Sequence, residues 1–324
     1  MTERMGVSAD DRALADAVAR YAEEALAPRA QALDEEGLCA TCHVPGLAAL
    51  GVMGMNIPEH YGGPGVTPTA MLLSLVEISR ACAATSSMIG AHYLGTDAVL
   101  IGGDDAQRAR WLPRCASGEW LAGFALTEPR GGSHPAELST RAVRTTTAQG
   151  EGYRIDGVKH FISNAGKAQF LVVFAKTDPA AGARGVSAFI VPTSAPGYQV
   201  ARLEEKLGQH SSDTAQINFD NCRIPAENLI GAEGEGYKIA LSALEGGRIG
   251  IAAQSIGMAR SAFEAALHYS KERVSFGTAI FNHQAVGFRL ADCATQLEAA
   301  RQLMYHAASL RDAAGAEADV SAAV

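Results

Sequence analysis

The longest apolar runs in this sequence are broken by glycine, serine or a charge well short of the roughly 20 residues that a bilayer-spanning helix needs. No membrane partner is expected. The N-terminal stretch MTERMGVSADDR is polar and acidic, with no apolar core of an export signal, so a cytoplasmic location is expected. Basic excess is also missing: the formal charge is −8, and a nucleic-acid partner would need a basic face for its phosphates. Aromatics, at 6%, are too few for a base-stacking platform. There is no G-x-G-x-x-G turn after a strand and no P-loop lysine, which argues against a doubly wound nucleotide-binding sheet. No internal repeat is visible. Cysteine is sparse, six residues at 39, 42, 82, 115, 222 and 293, too scattered for a disulfide framework, so reduced thiols are the default.

One cysteine pattern needs weighing. Cys39-Ala-Thr-Cys42-His43 has the spelling of a c-type haem attachment site. That attachment belongs to exported proteins, and no second Cys/His pair stands at zinc-finger spacing. The plainer reading, a helix start before the apolar run LAALGVMGM, is preferred, and no metal is expected.

What is present falls into three zones. Residues 1–120 are rich in Ala and Leu with apolar residues at three-four spacing, which predicts an N-terminal helical domain. Across 121–233 the runs GYRIDGVKHFIS, QFLVVFAKT, GVSAFIVP and AQINFDNCRIP are short, β-rich and separated by turn residues, predicting a middle antiparallel β domain. Helical periodicity returns over 234–324, with a loop VSFGTAIFNH between two long helices. Segregated rather than alternating elements imply an α+β fold: a β domain between two helical ones. The tail AAGAEADVSAAV has no cap or glycine stop and reads as an unfinished helix, so the C-terminal bundle is expected to be incomplete.

Two clusters could carry chemistry. In Phe124-Ala-Leu-Thr-Glu-Pro-Arg-Gly-Gly-Ser133 the paired glycines make a tight turn with backbone N–H groups suited to an anion such as a pyrophosphate. A plain interdomain loop is the competing reading. In Lys159-His-Phe-Ile-Ser-Asn-Ala-Gly166, Phe161 and Ser163 stand two apart on one strand, able to stack on and hydrogen-bond to a flat ring. An ordinary strand end would look the same.

The ordered blocks GVMGMNIPEHYGGPGV, TEPRGGS, KHFISNAG, KLGQHSSDTAQINFDNCRIPAENLIGAEGEGY, LEGGRIGIAAQSIGMA and ERVSFGTAIFNHQAVGFRLADCATQLEAAR resemble the acyl-CoA dehydrogenases. They follow that family's order along essentially the whole chain. The resemblance implies FAD as cofactor. It places Phe124, Leu126 and Thr127 along the flavin pyrimidine, and Gly132 and Ser133 near the pyrophosphate, with Ser133 also bordering substrate. Phe161 stands where the family usually has tryptophan over the flavin ring, beside Ile162. Ser163 stands where it usually has a threonine bonded to flavin N5. Arg273, Ser275, Phe276, His283 and Gln284 match the segment that reaches the FAD of a neighbouring subunit, implying a homotetramer built as a dimer of dimers. Glu245 and Arg248 match a helix bordering the acyl-CoA pocket; their alternative is an exposed i,i+3 pair worth a few tenths of a kcal/mol.

Two departures stand out. Arg130 and His134 replace the Gly and Asp of the common family loop TEPGAGSD. More importantly, the family's α-proton acceptor is a glutamate, usually in a Tyr-Glu-Gly motif, and no such motif occurs here. A minority carry it before the arginine that here is Arg248, but that residue is Gly247. Glu245 lies about 200° away around a helix. The expectation is therefore a chain that stops before its base, expected beyond Val324, with no catalytic residue assigned and no turnover by this chain alone. The implied reaction is α,β-dehydrogenation of an acyl-CoA to trans-2-enoyl-CoA, with hydride passing to FAD N5 and electrons going on to an electron-transferring flavoprotein. The rivals are a flavin oxidase or monooxygenase on the same fold and a non-catalytic acyl-CoA- or FAD-binding chain.

Overall fold

A computed structural model describes residues 7–147 and 150–314. The helices are α1 (Ala9–Tyr21), α2 (Ala27–Glu36), α3 (Val44–Ala49), α4 (Pro68–Ala81), α5 (Ala83–Gly102), α6 (Asp105–Ala116), α7 (Gly236–Glu272) and α8 (Gln284–Ala314). Most of the tail read as an unfinished helix lies outside the described residues. The strands are β1 (Ala122–Ala125), β2 (Arg141–Thr147), β3 (Gly150–Ser163), β4 (Phe170–Lys176), β5 (Val186–Pro192), β6 (Tyr198–Leu203), β7 (Thr214–Pro225), β8 (Leu229–Ile230), β9 (Val274–Ser275) and β10 (Thr278–Ala279). Helices, then a sheet, then helices follow one another, the α+β order expected.

Local chemistry fixes the helix starts. The Ser8 hydroxyl accepts the Asp11 N–H at 3.1 Å, and Asp10 and Asp11 favour the positive end of the α1 dipole. Thr67 caps α4, with Pro68 in its first turn. Asp104 and Gln107 form a reciprocal capping box on α6.

The main sheet runs β6-β7-β3-β2-β4-β5-β8, with β1 beside β4. It is antiparallel apart from two contacts: β1 and one residue pair of β2 run parallel to β4. Strands β4 and β5 are buried on both faces, which explains their unbroken apolar runs.

Contacts gather the chain into two compact units that interleave along the sequence. One comprises residues 1–31, 67–86 and 248–324; the other comprises 32–66 and 87–247. In the first, Thr67 donates to Asp11 at 2.7 Å, Thr69 to Asp312 at 2.6 Å and Ser79 to the Gln254 carbonyl at 2.7 Å. Gly257 lets α7 approach α4: a Cβ there would lie 2.4 Å from the Val76 carbonyl oxygen. The second unit holds the sheet, with a core of Ile57, Val99, Trp111, Leu112, Phe170, Val172, Phe174 and Ile190. His92 is fully buried within it. Its Nδ1 accepts the Ala122 N–H at 3.0 Å and its Nε2 lies 3.0 Å from the Met53 carbonyl, a pattern that fits the neutral ring. Among the described residues no helix is long and apolar enough to cross a membrane, and no three His, Cys, Asp or Glu side chains gather as metal ligands.

Candidate functional site

The chain leaves β1 at Ala125 and buries an ion pair within three residues. Glu128 and Lys159 meet at 2.9 Å, their side chains 2% and 0% exposed. A buried pair persists only if its remaining donors and acceptors are filled. They are: Lys159 also donates to the Leu126 carbonyl at 3.0 Å, and Glu128 accepts the Ser139 amide at 2.5 Å, the Ser139 hydroxyl at 2.7 Å and the Thr140 amide at 3.0 Å. Burial pushes the Glu128 carboxyl up, but the Lys159 ammonium and these donors outweigh it and hold it well below the usual carboxylate range. Burial lowers Lys159, opposed by Glu128, and the pair stays ionised at neutral pH. Both residues lie inside the motifs read from sequence, yet neither is among the expected site residues. The available signal was a lysine within an otherwise strand-forming run.

From this base the chain turns. Glu128 and Gly131 exchange backbone hydrogen bonds of 3.2 and 3.1 Å, closing a four-residue turn with Arg130 exposed. Gly131 is buried and its N–H is used in the turn, whereas Gly132 and Ser133 are exposed and their N–H groups have no backbone partner among the described residues. His134 is engaged with Glu137 at 3.1 Å.

Strand β3 lies alongside, its His160 amide donating to the Thr127 carbonyl at 3.0 Å. The pairing of β3 with β7 slips between Lys159 and Ile162. Within that bulge Phe161 takes φ +58°, a left-handed conformation uncommon for a bulky residue, and its ring is 63% exposed. Strand alternation alone is thus not what turns Phe161 outward; the bulge does. Ile162 is buried, and Ser163 is half-buried opposite Thr214. Asn164, also at positive φ, fixes the strand end. Its side chain donates to the Met88 and Ala122 carbonyls at 2.9 and 3.1 Å, and its N–H donates to the Asp213 carbonyl at 3.0 Å. The Phe124 ring packs on Phe174 at 4.8 Å, and the Leu126 side chain lies in the core, so Leu126 and Ile162 offer a ligand main chain rather than side chain. An outward ring, a half-buried hydroxyl and free amides fit a flat heterocycle with a pyrophosphate, the parts of FAD.

Arg273, Ser275, Phe276, His283 and Gln284 gather around a hairpin in the other unit. Strands β9 and β10 are joined by Phe276 and Gly277 at φ +51° and +76°, the conformation of a type I′ turn. Phe276 at its tip is 97% exposed. His283 Nε2 lies 3.1 Å from the Ser275 carbonyl, and its ring stands edge-on to Phe276 at 6.3 Å. Arg273 and Gln284 are exposed. On α7, Glu245 is half-buried and Arg248 exposed, and a Cβ at Gly247 would meet Leu94 Cδ2 at 2.7 Å.

Comparison with known proteins identifies the family. Three family models match in sequence: acyl-CoA dehydrogenase N-terminal domain over 8–119, middle domain over 123–222 and C-terminal domain over 234–324. An acyl-CoA dehydrogenase of Bacillus subtilis is 41% identical over 293 residues, covering 90% of this chain and 76% of that protein. The human mitochondrial short-chain specific acyl-CoA dehydrogenase is 39% identical over 295 residues, covering 90% of this chain and 70% of that protein. The butyryl-CoA dehydrogenase structure from Megasphaera elsdenii superposes with a TM-score of 0.90 at 34% identity, covering 94% of this chain and 80% of that one. The chain belongs to the acyl-CoA dehydrogenase family, whose members are FAD-dependent oxidoreductases.

Proposed function

We propose that this chain acts on a short-chain acyl-CoA, forming the trans-2-enoyl-CoA, and passes electrons to an electron-transferring flavoprotein. The observation that carries the reading is Phe161, held outward by the bulge beside Ser163 on a strand pinned by Lys159 and Glu128. Short chain length is supported by the names of the relatives, human and Megasphaera alike.

Bound FAD supplies the hydride acceptor. The chain's residues would hold and orient it. Phe161 packs a ring face against the flavin, Ser163 presents its hydroxyl toward N5, and Phe124, Leu126, Thr127 and Ile162 flank it largely through main chain. The exposed amides of Gly132 and Ser133 meet the pyrophosphate. Arg273, Ser275, Phe276, His283 and Gln284 serve the cofactor of a neighbouring copy, within a homotetramer built as a dimer of dimers; the bare aromatic tip at Phe276 supports this. Ser133, Glu245 and Arg248 are each assigned to binding of the acyl-CoA. The α-proton of its thioester is weakly acidic, so donors must stabilise the developing enolate oxygen. No residue among 1–324 is assigned as proton acceptor. At Gly247 a glutamate would require Leu94 to move.

Anaerobic titration with butyryl-, isovaleryl- and octanoyl-CoA, followed through the flavin absorbance band, tests the reading. Butyryl-CoA is expected to perturb the band at lower concentration than octanoyl-CoA, while bleaching needs a proton acceptor for which no residue among 1–324 is assigned; the reverse order of the two substrates defeats the short-chain assignment. Fast reoxidation of the reduced protein by air would favour an oxidase instead. Bleaching by residues 1–324 alone would place the acceptor within them, with Glu245 the first carboxylate to replace; perturbation without bleaching in a protein that carries the acceptor would favour a binding chain. In a protein that carries the acceptor, Ser163→Ala is expected to slow flavin reduction more than it weakens acyl-CoA binding.

A further inference from the structure

We propose that Cys39 and Cys42 form a reversible dithiol–disulfide pair, a site independent of the flavin reading. Cys39 is the N-cap of the 3-10 turn Ala40–His43, in extended conformation at φ −69° and ψ 135°, and its side chain makes no capping hydrogen bond. Cys42 follows three residues later, at the third position of that turn. N-cap and third-residue side chains are the two that reach toward each other across a helix entrance, the relation used by a capping box. A four-residue turn keeps its end Cα atoms within about 7 Å, and a disulfide spans roughly 4.4–6.8 Å between Cα atoms, so the pair needs little backbone movement to close.

Accessibility singles out the same two residues. Cys42 is exposed and Cys39 half-buried, whereas Cys82, Cys115 and Cys222 are buried. Burial pushes the Cys115 and Cys222 thiols up to about 12, which keeps them protonated and unreactive. Cys293, the remaining exposed thiol, sits on α8 in the other unit. The turn is also tied to a second segment. The Ala40 N–H donates to the Ser211 carbonyl at 2.9 Å, and two residues further along, just beyond the end of β3, the Asp213 carbonyl accepts the Asn164 amide and its side chain the Gly166 amide.

The chemistry balances with a small disulfide oxidant such as oxidised glutathione. One cysteine thiolate attacks the oxidant's sulfur, breaking its S–S bond and releasing one glutathione thiolate. The second cysteine then attacks the resulting mixed disulfide at the protein sulfur and expels the other glutathione. Two protein thiols lose two electrons and two protons, and one oxidised glutathione becomes two reduced molecules.

The test incubates the full chain in graded ratios of oxidised to reduced glutathione, quenches with acid, alkylates free thiols and maps the products by mass. The wild type is expected to lose two hydrogens from the segment carrying Cys39 and Cys42, both protected from alkylation while Cys82, Cys115 and Cys222 stay alkylatable, with reversal by dithiol reductant. In Cys42→Ser, Cys39 should instead retain a glutathione adduct, while Cys293→Ser should leave the crosslink unchanged. The proposal is overturned if both Cys39 and Cys42 remain alkylatable at ratios that modify Cys293, or if each collects its own glutathione in the wild type. The wild-type measurement decides this even if the Cys42→Ser variant fails to fold.

Discussion

Phe161 holds a backbone conformation that costs on the order of 1–3 kcal/mol for a non-glycine residue, and it is 63% exposed rather than packed in the core. Phe161→Gly removes the strain and the ring together, and two readouts report on them separately. Phe161→Gly is expected to raise the stability of the flavin-free chain by roughly 1 kcal/mol while lowering the flavin retained per chain through gel filtration. Thermal melts and the absorbance ratio check this, and unchanged flavin retention would remove Phe161 from the site. His92 offers a pH test. Burial lowers its pKa from the ordinary 6.5 to about 4, outweighing the pull of its carbonyl partners. Below pH 6.5 the unfolded chain takes up a proton that the folded chain refuses, so stability should fall as pH drops from 6.5 toward 4. The loss is expected to total roughly 3 kcal/mol. Denaturant midpoints across that range measure it; a slope unchanged in His92→Gln would assign the effect to other groups. Neither residue's environment is legible in the sequence. A histidine in a helical run and a phenylalanine in a strand look ordinary until the fold surrounds one and bulges under the other.

At the scale of the element, β3 joins structure to site. Its Lys159 reaches back 31 residues in sequence to Glu128, so the strand and the turn are stabilised as one piece. Lys159→Met should cost about 3–5 kcal/mol, because it leaves a buried carboxylate without its cation. The double variant Glu128→Gln/Lys159→Met should recover part of that loss, and equal losses in the two would show that the pair is not the source. Periodicity made much of the fold readable: β4 and β5 as continuous apolar runs, α7 and α8 as long helical ones. What it could not supply was pairing. A four-residue strand such as β1 carries no mark that its partner is β4 in parallel, since partner and direction depend on where the intervening chain leads.

Across the molecule, apolar side chains remain on the helical unit's surface. Ile251, Met258 and Tyr269 are 58%, 41% and 58% exposed. Their spacing of seven and eleven residues puts them on one face of α7. On α8, Phe288 and Leu303 are 64% and 71% exposed. Surfaces of this kind mark association. Sedimentation of the purified chain is expected to show oligomers, and Met258→Glu should shift the distribution toward monomer without lowering the melting temperature by more than a few degrees. Monomer alone in the wild type would count against the expected homotetramer and against delivery of the hairpin residues to a neighbour's cofactor.

The sequence by itself determined the element types, their order and the identity of the ordered motifs, because hydrophobic period, caps and turn residues act over a few positions. It also located the two segments, 124–133 and 159–166, that lie side by side. Only the tertiary structure decided which groups in them are available. Gly131 uses its amide while the next two residues do not, Leu126 and Ile162 turn their side chains into the core, and a slip in strand register turns Phe161 out. Those outcomes depend on hydrogen-bond partners and burial contributed by residues distant in the chain. The interleaving of the two units arises the same way: α4, on which α1 packs, is completed by contacts with α7 and α8 more than a hundred residues away, as in the bonds from Ser79 to Gln254 and Thr69 to Asp312.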